Sequence, residues 1–221
     1  MLRVNGKLLS ELKPTEFPFS VKIQRNSDRI IKSFNIPLDN ELSQSVFSVC
    51  KHSSLSLYVL LMTTLKTLLY RISRNDEIII SSPAINSTDK NKTNKIFIWD
   101  TSDNNLTFRQ LLMKTGEDIL SANKNLTHLN DDLLDNGMSR DNYIFLDRFT
   151  LTLNTIHKID QFDDFMFDIL FAFEENGENI SLCIQYNDNL IEKDDIIDFS
   201  MRYFMILKQS LSNADKKIMV V

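Results

Sequence analysis

The chain has 221 residues, 43% hydrophobic and 25% charged, with a formal net charge of −5 from 25 basic and 30 acidic side chains. That is ordinary for a globular protein, and long enough to bury a core without disulfide or metal staples. The lysines are scattered among Asp and Glu, which excludes the basic patch of a nucleic-acid binder, so no nucleic-acid partner is expected.

Residues 1–28 carry Gly6, Pro14 and Pro18 with little periodicity and are expected to be an extension or linker, with a strand near 19–23; residues 29–221 form the domain proper. Alternation over 30–36 predicts a strand that stops at Pro37. Asp39 is placed to N-cap a helix with Leu42, Val46, Val49 and Cys50 on one face. Residues 55–73 are apolar nearly all round, the mark of a helix buried on most sides. Its most apolar run, 55–65, contains Ser56, Thr63 and Thr64 and meets Lys66, too short a stretch to span a bilayer, so no membrane association is expected. An Ile-rich strand follows at 77–81, ended by Pro83. Residues 86–95 have no apolar side chain and read as a polar loop, and 96–99 as strand. Thr107 and Gln110 have the spacing of a capping box, Leu106 can staple onto Leu111, and Phe108, Leu111, Leu112, Thr115, Ile119 and Ala122 make the buried face of the helix that follows. Residues 130–135 suggest a short helical turn and 143–153 a strand.

Residues 165–173 and 180–186 are rich in β-formers, and the Asn-Gly-containing run 174–179 between them supplies turn chemistry, which predicts a β-hairpin with one buried face. The last helix, 192–211, buries Ile196, Phe199, Tyr203, Phe204, Leu207 and Leu211. Its acids lie early and its bases late, which complements the helix dipole. Strands and helices mix without strict alternation, so the fold class is an α/β two-layer sandwich with a mixed sheet packed by helices.

Few residues offer chemistry. Cys50 falls on an apolar helical face and Cys183 in the hairpin strand; two buried free thiols in a reducing, cytosolic setting are expected, with a disulfide as the alternative. Neither lies in a CxxC or His-rich context, so no metal site is expected. The three histidines, His52, His128 and His157, are isolated from one another, and His157 is expected in a surface loop, solvated or partly buried. The acidic pairs Asp131-Asp132, Asp163-Asp164 and Asp194-Asp195 suit solvated ends and caps, and the lysines of 90–95 suit a loop. Four glycines cannot supply a nucleotide-binding loop on top of the turns. No catalytic residue and no cofactor is therefore expected.

Phe167-Asp168-Ile169, then the hairpin, then Tyr186-Asn187-Asp188-Asn189-Leu190 and a long helix resemble the end of a nonribosomal-peptide-synthetase condensation domain, of the chloramphenicol-acetyltransferase-like superfamily. The resemblance extends over residues 17–217. Phe17-Pro18-Phe19 is similar to the inter-lobe segment, 55–74 with Glu77 to Pro83 to a helix leading into "d.iviGsp", 94–99 to the "N.lplr" strand, and 106–118 to the "tf.ell..v" helix. On this likeness Phe167, Asp168, Tyr186 and Asn187 are structural motif residues. All of it belongs to the C-terminal lobe; the His-His-x-x-x-Asp-Gly motif of the other lobe is not in the sequence. The family's Gly at the Ser81-Ser82 turn is also missing, which reads as erosion of a tunnel wall. The resemblance implies a single lobe, truncated and non-catalytic, in an initiation module. It would serve as a structural platform beside an adenylation domain, or as a docking surface for an upstream or tailoring protein, as a monomer or weak homodimer. Its alternatives are one lobe of a split condensation enzyme joining carrier-bound aminoacyl groups, or a remnant without a role. Residues 212–218 resemble the run that leads into an adenylation domain.

Overall fold

The periodicities separate the chain into strands with one strongly apolar face and helices that cover it. The computed structural model describes residues 3–4, 7–8, 13, 15–22, 29–72, 77–85, 95–101, 105–124, 144–157 and 167–218. After a short antiparallel pair, β1 (Arg3–Val4) and β2 (Lys7–Leu8), come β3 (Ile31–Pro37), α1 (Asn40–Cys50), α2 (Ser54–Ile72), β4 (Glu77–Pro83), β5 (Lys95–Thr101) and α3 (Phe108–Lys124). A 3-10 turn, Ile144–Asp147, precedes β6 (Phe149–Leu153), β7 (Ile169–Asn176), β8 (Asn179–Asn187) and α4 (Lys193–Ser212). The strands form one mixed six-stranded sheet in the order β3-β8-β7-β6-β4-β5. β6 runs parallel to both β4 and β7, and the remaining pairs are antiparallel.

Every second residue of the sheet enters the main core. Ile78 and Ile80, Ile96 and Ile98, Phe149, Leu151 and Leu153, Phe171 and Phe173, and Leu182 and Ile184 all pack with the helices there. The opposite face carries a small separate cluster of Phe167 and Leu170 with Ala172. The result is the expected two-layer α/β lobe. Among the described residues α2 is long and apolar enough to cross a membrane by length and composition, but 72% of that window is buried inside the fold. Its apolarity serves the core, as α3 and α4 lie on either side of it.

Local signals explain several element ends. The Asp39 side chain accepts from the Leu42 N–H at 2.7 Å and caps α1. The capping box on α3 forms as read: Thr107 N–H donates to Gln110 Oε1 at 2.9 Å and Gln110 N–H to Thr107 Oγ1 at 3.2 Å. The hairpin closes through Gly177-Glu178 between the paired Asn176 and Asn179, and Gly177 takes the positive φ (+64°) that such a two-residue turn needs at its first central residue.

Several expectations shift, and residues 19–22, expected near a strand, are not in one. Val49 is 57% exposed, because Phe47 takes its place on the buried face of α1. β4 runs through Pro83, which can end a strand because only its missing N–H bars continuation. The strand expected over 143–153 is strand only from Phe149, after the 3-10 turn that carries Asp147. Phe204 and Leu211 are half-buried at the edge of the α4 interface, while Ile206 is buried in it. The turn expected at 130–135 and the polar residues 86–94 lie outside the described residues.

Candidate functional site

Parallel pairing of β6 with β7 and antiparallel pairing of β7 with β8 bring one end of each strand together, and the motif residues sit there. Asp168 immediately precedes β7 and Asn187 ends β8. The Asn187 N–H donates to the Asp168 carbonyl at 3.0 Å, and the Asn187 side chain helps to lower the Asp168 carboxyl against the effect of burial. Asn187 also builds the turn that follows. Its carbonyl accepts from Leu190 N–H at 2.9 Å and Ile191 N–H at 3.0 Å, and its Oδ1 accepts from Asn189 N–H at 3.2 Å. Strand alternation sends Tyr186 to the helix-covered face, edge-on to Phe34 at 6.3 Å between centroids. Phe167 packs on the opposite face. Thus Asp168 and Asn187 act together, while Tyr186 and Phe167 anchor the two sides of the sheet.

Asp168 is only 6% exposed, and its charge is met by Arg29, whose Nη2 lies 3.4 Å away and whose Nη1 donates to the Phe167 carbonyl at 2.8 Å. Burial pushes the Asp168 carboxyl above the usual carboxylate range, with Arg29 and Arg148 opposing it in part. Nearby, Asp147 is paired with Lys95 at 2.8 Å, and burial again raises the carboxyl against the pull of Lys95. Arg148 donates to the Thr15 carbonyl at 3.1 Å and lies over the Phe17 ring at 5.1 Å. Each acid in this cluster therefore has its own base, and the arrangement holds strand ends together. Sequence reasoning missed Arg29, Lys95, Asp147 and Arg148. One readable signal was the Asp147-Arg148 doublet abutting the all-buried β6, because charges at that depth must be paired.

The histidines divide. His157 is 2% exposed, not in a surface loop as expected. Its Nδ1 accepts from the Leu153 N–H at 3.0 Å, its ring stands edge-on to Tyr58 at 5.0 Å, and Nε2 turns toward the Pro83 carbonyl without a hydrogen bond of normal geometry. Burial lowers it to about 4, so near neutral pH it is an uncharged acceptor whose lone pair is already used. Tyr58 continues the network: its hydroxyl donates to Ser82 Oγ at 2.7 Å, and Ser82 donates to the Leu151 carbonyl at 2.7 Å. His52 stacks on Phe47 in the left-handed turn after α1. His128, Asp131, Asp132, Asp163 and Asp164 lie outside the described residues. Asp194 and Asp195 occupy the first turn of α4. Cys50 is buried and Cys183 half-buried, and both thiols are free. Among the described residues no three or more His, Cys, Asp or Glu are grouped to hold a metal ion.

A second charged cluster lies under the other face. Lys66 of α2 is fully buried, 2.6 Å from the Asp100 carboxylate of β5 and 3.4 Å from Asp118 of α3, and Lys114 also pairs with Asp100. Burial pulls the Asp100 carboxyl up, but Lys66 and Lys114 together outweigh it and leave it below its ordinary value. For Asp118 burial wins over Lys66, and its carboxyl is raised.

The tail is bound as firmly as a secondary element. The first N–H groups of α3 lack helical partners. Phe108 N–H finds the Lys216 carbonyl at 3.1 Å and Arg109 N–H the Ala214 carbonyl at 2.8 Å. Ile218 N–H donates to the Leu106 carbonyl at 3.0 Å, its side chain is 1% exposed, and its carbonyl accepts from Arg71 Nε at 2.6 Å. Arg109 and Asp215 add a two-pronged surface ion pair.

Comparison with known proteins bears on the family and the fold. The family model of the condensation domain matches residues 7–220. Bacitracin synthase 1 of Bacillus licheniformis is 23% identical over 222 residues, covering 90% of this chain and 4% of that protein. Among solved structures, the X-domain from teicoplanin biosynthesis superposes with a TM-score of 0.71 at 13% identity, covering 95% of this chain and 54% of that one. A four-domain nonribosomal peptide synthetase in its holo form, bound to AMP and glycine, gives a TM-score of 0.70 at 12% identity, over 93% of this chain and 19% of that one. The chain therefore spans a small fraction of the synthetases it matches and about half of an X-domain. With a match over nearly its whole length and a lobe of the same fold, the chain belongs to the condensation-domain family of nonribosomal peptide synthetases.

Proposed function

We propose that this lobe is a non-catalytic platform within a nonribosomal peptide synthetase, holding an adjacent adenylation domain through α4 and the tail that follows it. The observation that supports this reading is the clamped tail. Residues 213–218 are tied to the start of α3 by backbone bonds and to α2 by the Arg71 side chain, and Ile218 is sunk in the core. A chain leaving this lobe would leave in a fixed place and direction, as a domain meant to position its neighbour requires. The charge-matched cluster at Asp168 and the spent lone pair of His157 give no free base for acyl transfer, which fits a structural role. A docking role for a further protein has a precedent in the same fold, since an X-domain has been solved in complex with OxyB from teicoplanin biosynthesis.

The test is deletion. In a synthetase where this lobe precedes an adenylation domain, removing residues 1–221 should lower the melting temperature and soluble yield of what remains. An unchanged melting temperature and yield would refute the platform. The competing reading, one lobe of a split condensation enzyme, expects a separate partner carrying His-His-x-x-x-Asp-Gly that co-purifies with this chain and confers peptide-bond formation.

A further inference from the structure

The sheet is not evenly sewn. β3 with β8, β8 with β7, β7 with β6, and β4 with β5 are each paired along their length, but β4 and β6 share one pair, Ser81 with Thr150. Two features shorten this seam. On one side β6 begins only at Phe149, after the 3-10 turn, so among the described residues the first half of β4 has no strand beside it there. On the other side Pro83 has no N–H to continue a ladder, and the Leu153 N–H is taken by His157. Side chains replace the missing rungs. Ser81 Oγ and Thr150 Oγ1 are 2.7 Å apart across the seam, and Ser82 Oγ donates to the Leu151 carbonyl.

The third stitch comes from the N-terminal segment. Thr15 is fully buried, and its hydroxyl accepts from the Ile79 N–H at 2.7 Å and donates to the Ile79 carbonyl at 3.2 Å. It satisfies the two backbone groups that a longer β6 would have taken. Beyond Thr15 every anchor of this segment lies on the far side of the seam. Arg148 holds the Thr15 carbonyl, Phe17 packs on Phe149 at 5.5 Å, Phe19 meets Phe199 edge-on at 6.0 Å, and Lys22 N–H donates to the Leu190 carbonyl at 2.8 Å. Residues 15–22 therefore tie across the sheet where the backbone ladder hardly does, while α2, packed on both α3 and α4, and the tail bound to α3 link the two parts in the helix layer.

We propose that the lobe is two bodies hinged at the β4–β6 seam, β4 and β5 with α3 on one side and β6, β7, β8 and β3 with α4 on the other, with α2 and the tail as the layer they share. The N-terminal segment is the strap that holds the seam closed, and the Thr15 hydroxyl is its latch. Without that hydroxyl the buried Ile79 N–H and carbonyl lose their partners, and opening the seam to water is the route that satisfies them. The motion is then local and does not require unfolding of the β7–β8 hairpin.

Hydrogen exchange followed by mass spectrometry on the full chain tests this. Thr15→Val keeps the shape and removes both bonds; it should speed exchange in peptides covering 77–83 and 95–101 by about tenfold or more, leave 169–187 at the wild-type rate, and be reversed by Thr15→Ser. Equal acceleration in both regions, or none, would overturn the hinge. Should Thr15→Val not fold, wild-type protein in urea below its unfolding midpoint decides the matter. The 77–83 and 95–101 amides should open in a separate step with weaker denaturant dependence than 169–187, and one common opening for both would overturn the proposal.

Discussion

Replacing Lys66 with methionine is the sharpest test of how this core is held. The ammonium group is fully buried, 2.6 Å from Asp100, itself 2% exposed, and 3.4 Å from Asp118. Methionine keeps most of the volume, so the change isolates charge from packing. Removing one partner of a buried pair typically costs about 3–5 kcal/mol, because the remaining charge is stranded away from water. Asp100 would keep Lys114, whose side chain is 41% exposed, so the lower end applies. For a chain of this size about 3 kcal/mol corresponds to a fall in melting temperature of roughly 6–12 °C. The pH dependence gives the argument its sign. In the wild type the Asp100 carboxyl is held below its ordinary value, so its contribution is present above about pH 4 and is lost as pH falls through the lowered folded value. In Lys66→Met, burial would dominate and lift that carboxyl, so the stranded charge costs most near neutral pH and is relieved by protonation. Urea unfolding of both proteins at pH 7 and near pH 4 measures the difference. A deficit below about 1 kcal/mol at pH 7, or one of equal size at both pH values, would refute this account of the cluster.

Three further outcomes are expected. With two loaded carrier proteins, the chain alone should form no dipeptidyl-carrier product above uncatalysed aminolysis by mass spectrometry; clear product would refute the non-catalytic reading. Ile218→Ala removes a side chain that is 1% exposed and should cost about 2–4 kcal/mol. It should also speed tryptic cleavage at Lys216 and Lys217, and unchanged cleavage would count against a clamped tail. Arg29→Met strands Asp168, whose carboxyl burial already raises, so this group favours the folded state less as pH rises from about 4 through the folded value. The variant should lose about 3 kcal/mol at pH 7 and recover most of it toward pH 4, a pattern that pH-independent destabilisation would contradict.

What could be read from the sequence was what is encoded locally. Asp39 and the Thr107–Gln110 pair announce their helices because a cap involves residues three apart. The hairpin was legible because its turn and both strands are contiguous, and α2 because almost every face of it is apolar. What could not be read depends on partners brought from elsewhere in the chain. Arg29 meets Asp168 only once β3 has paired with β8, and Lys66 meets Asp100 only once α2 lies against β5. His157 stands in a polar stretch and looks solvated, yet Tyr58 of α2 and the Leu153 N–H enclose it. The 3-10 turn ahead of β6 was missed because Ile144, Phe145 and Leu146 suit a strand by composition. There the pairing partner decides: β4 and β7 pair with β6 only from Phe149 onward.

The Ser81-Ser82 pair, read from the family pattern as a turn and found inside β4, shows how an absence in sequence can be a presence in structure. Measured against the family pattern, the missing glycine reads as erosion of a surface that a second lobe would have used. In the folded chain neither hydroxyl is idle. Ser81 bonds Thr150 across the shortest seam of the sheet, and Ser82 links Tyr58 of the helix layer to the Leu151 carbonyl of the next strand. A glycine at either place could supply none of these bonds. With Pro83 ending the backbone ladder on one side and the 3-10 turn on the other, the seam would then depend on one backbone pair and on Thr15. Along the short β6, hydroxyls supply joining that backbone groups do not. Thr15, ahead of the first long strand, takes part in the same joining, because its buried hydroxyl bonds both backbone groups of Ile79.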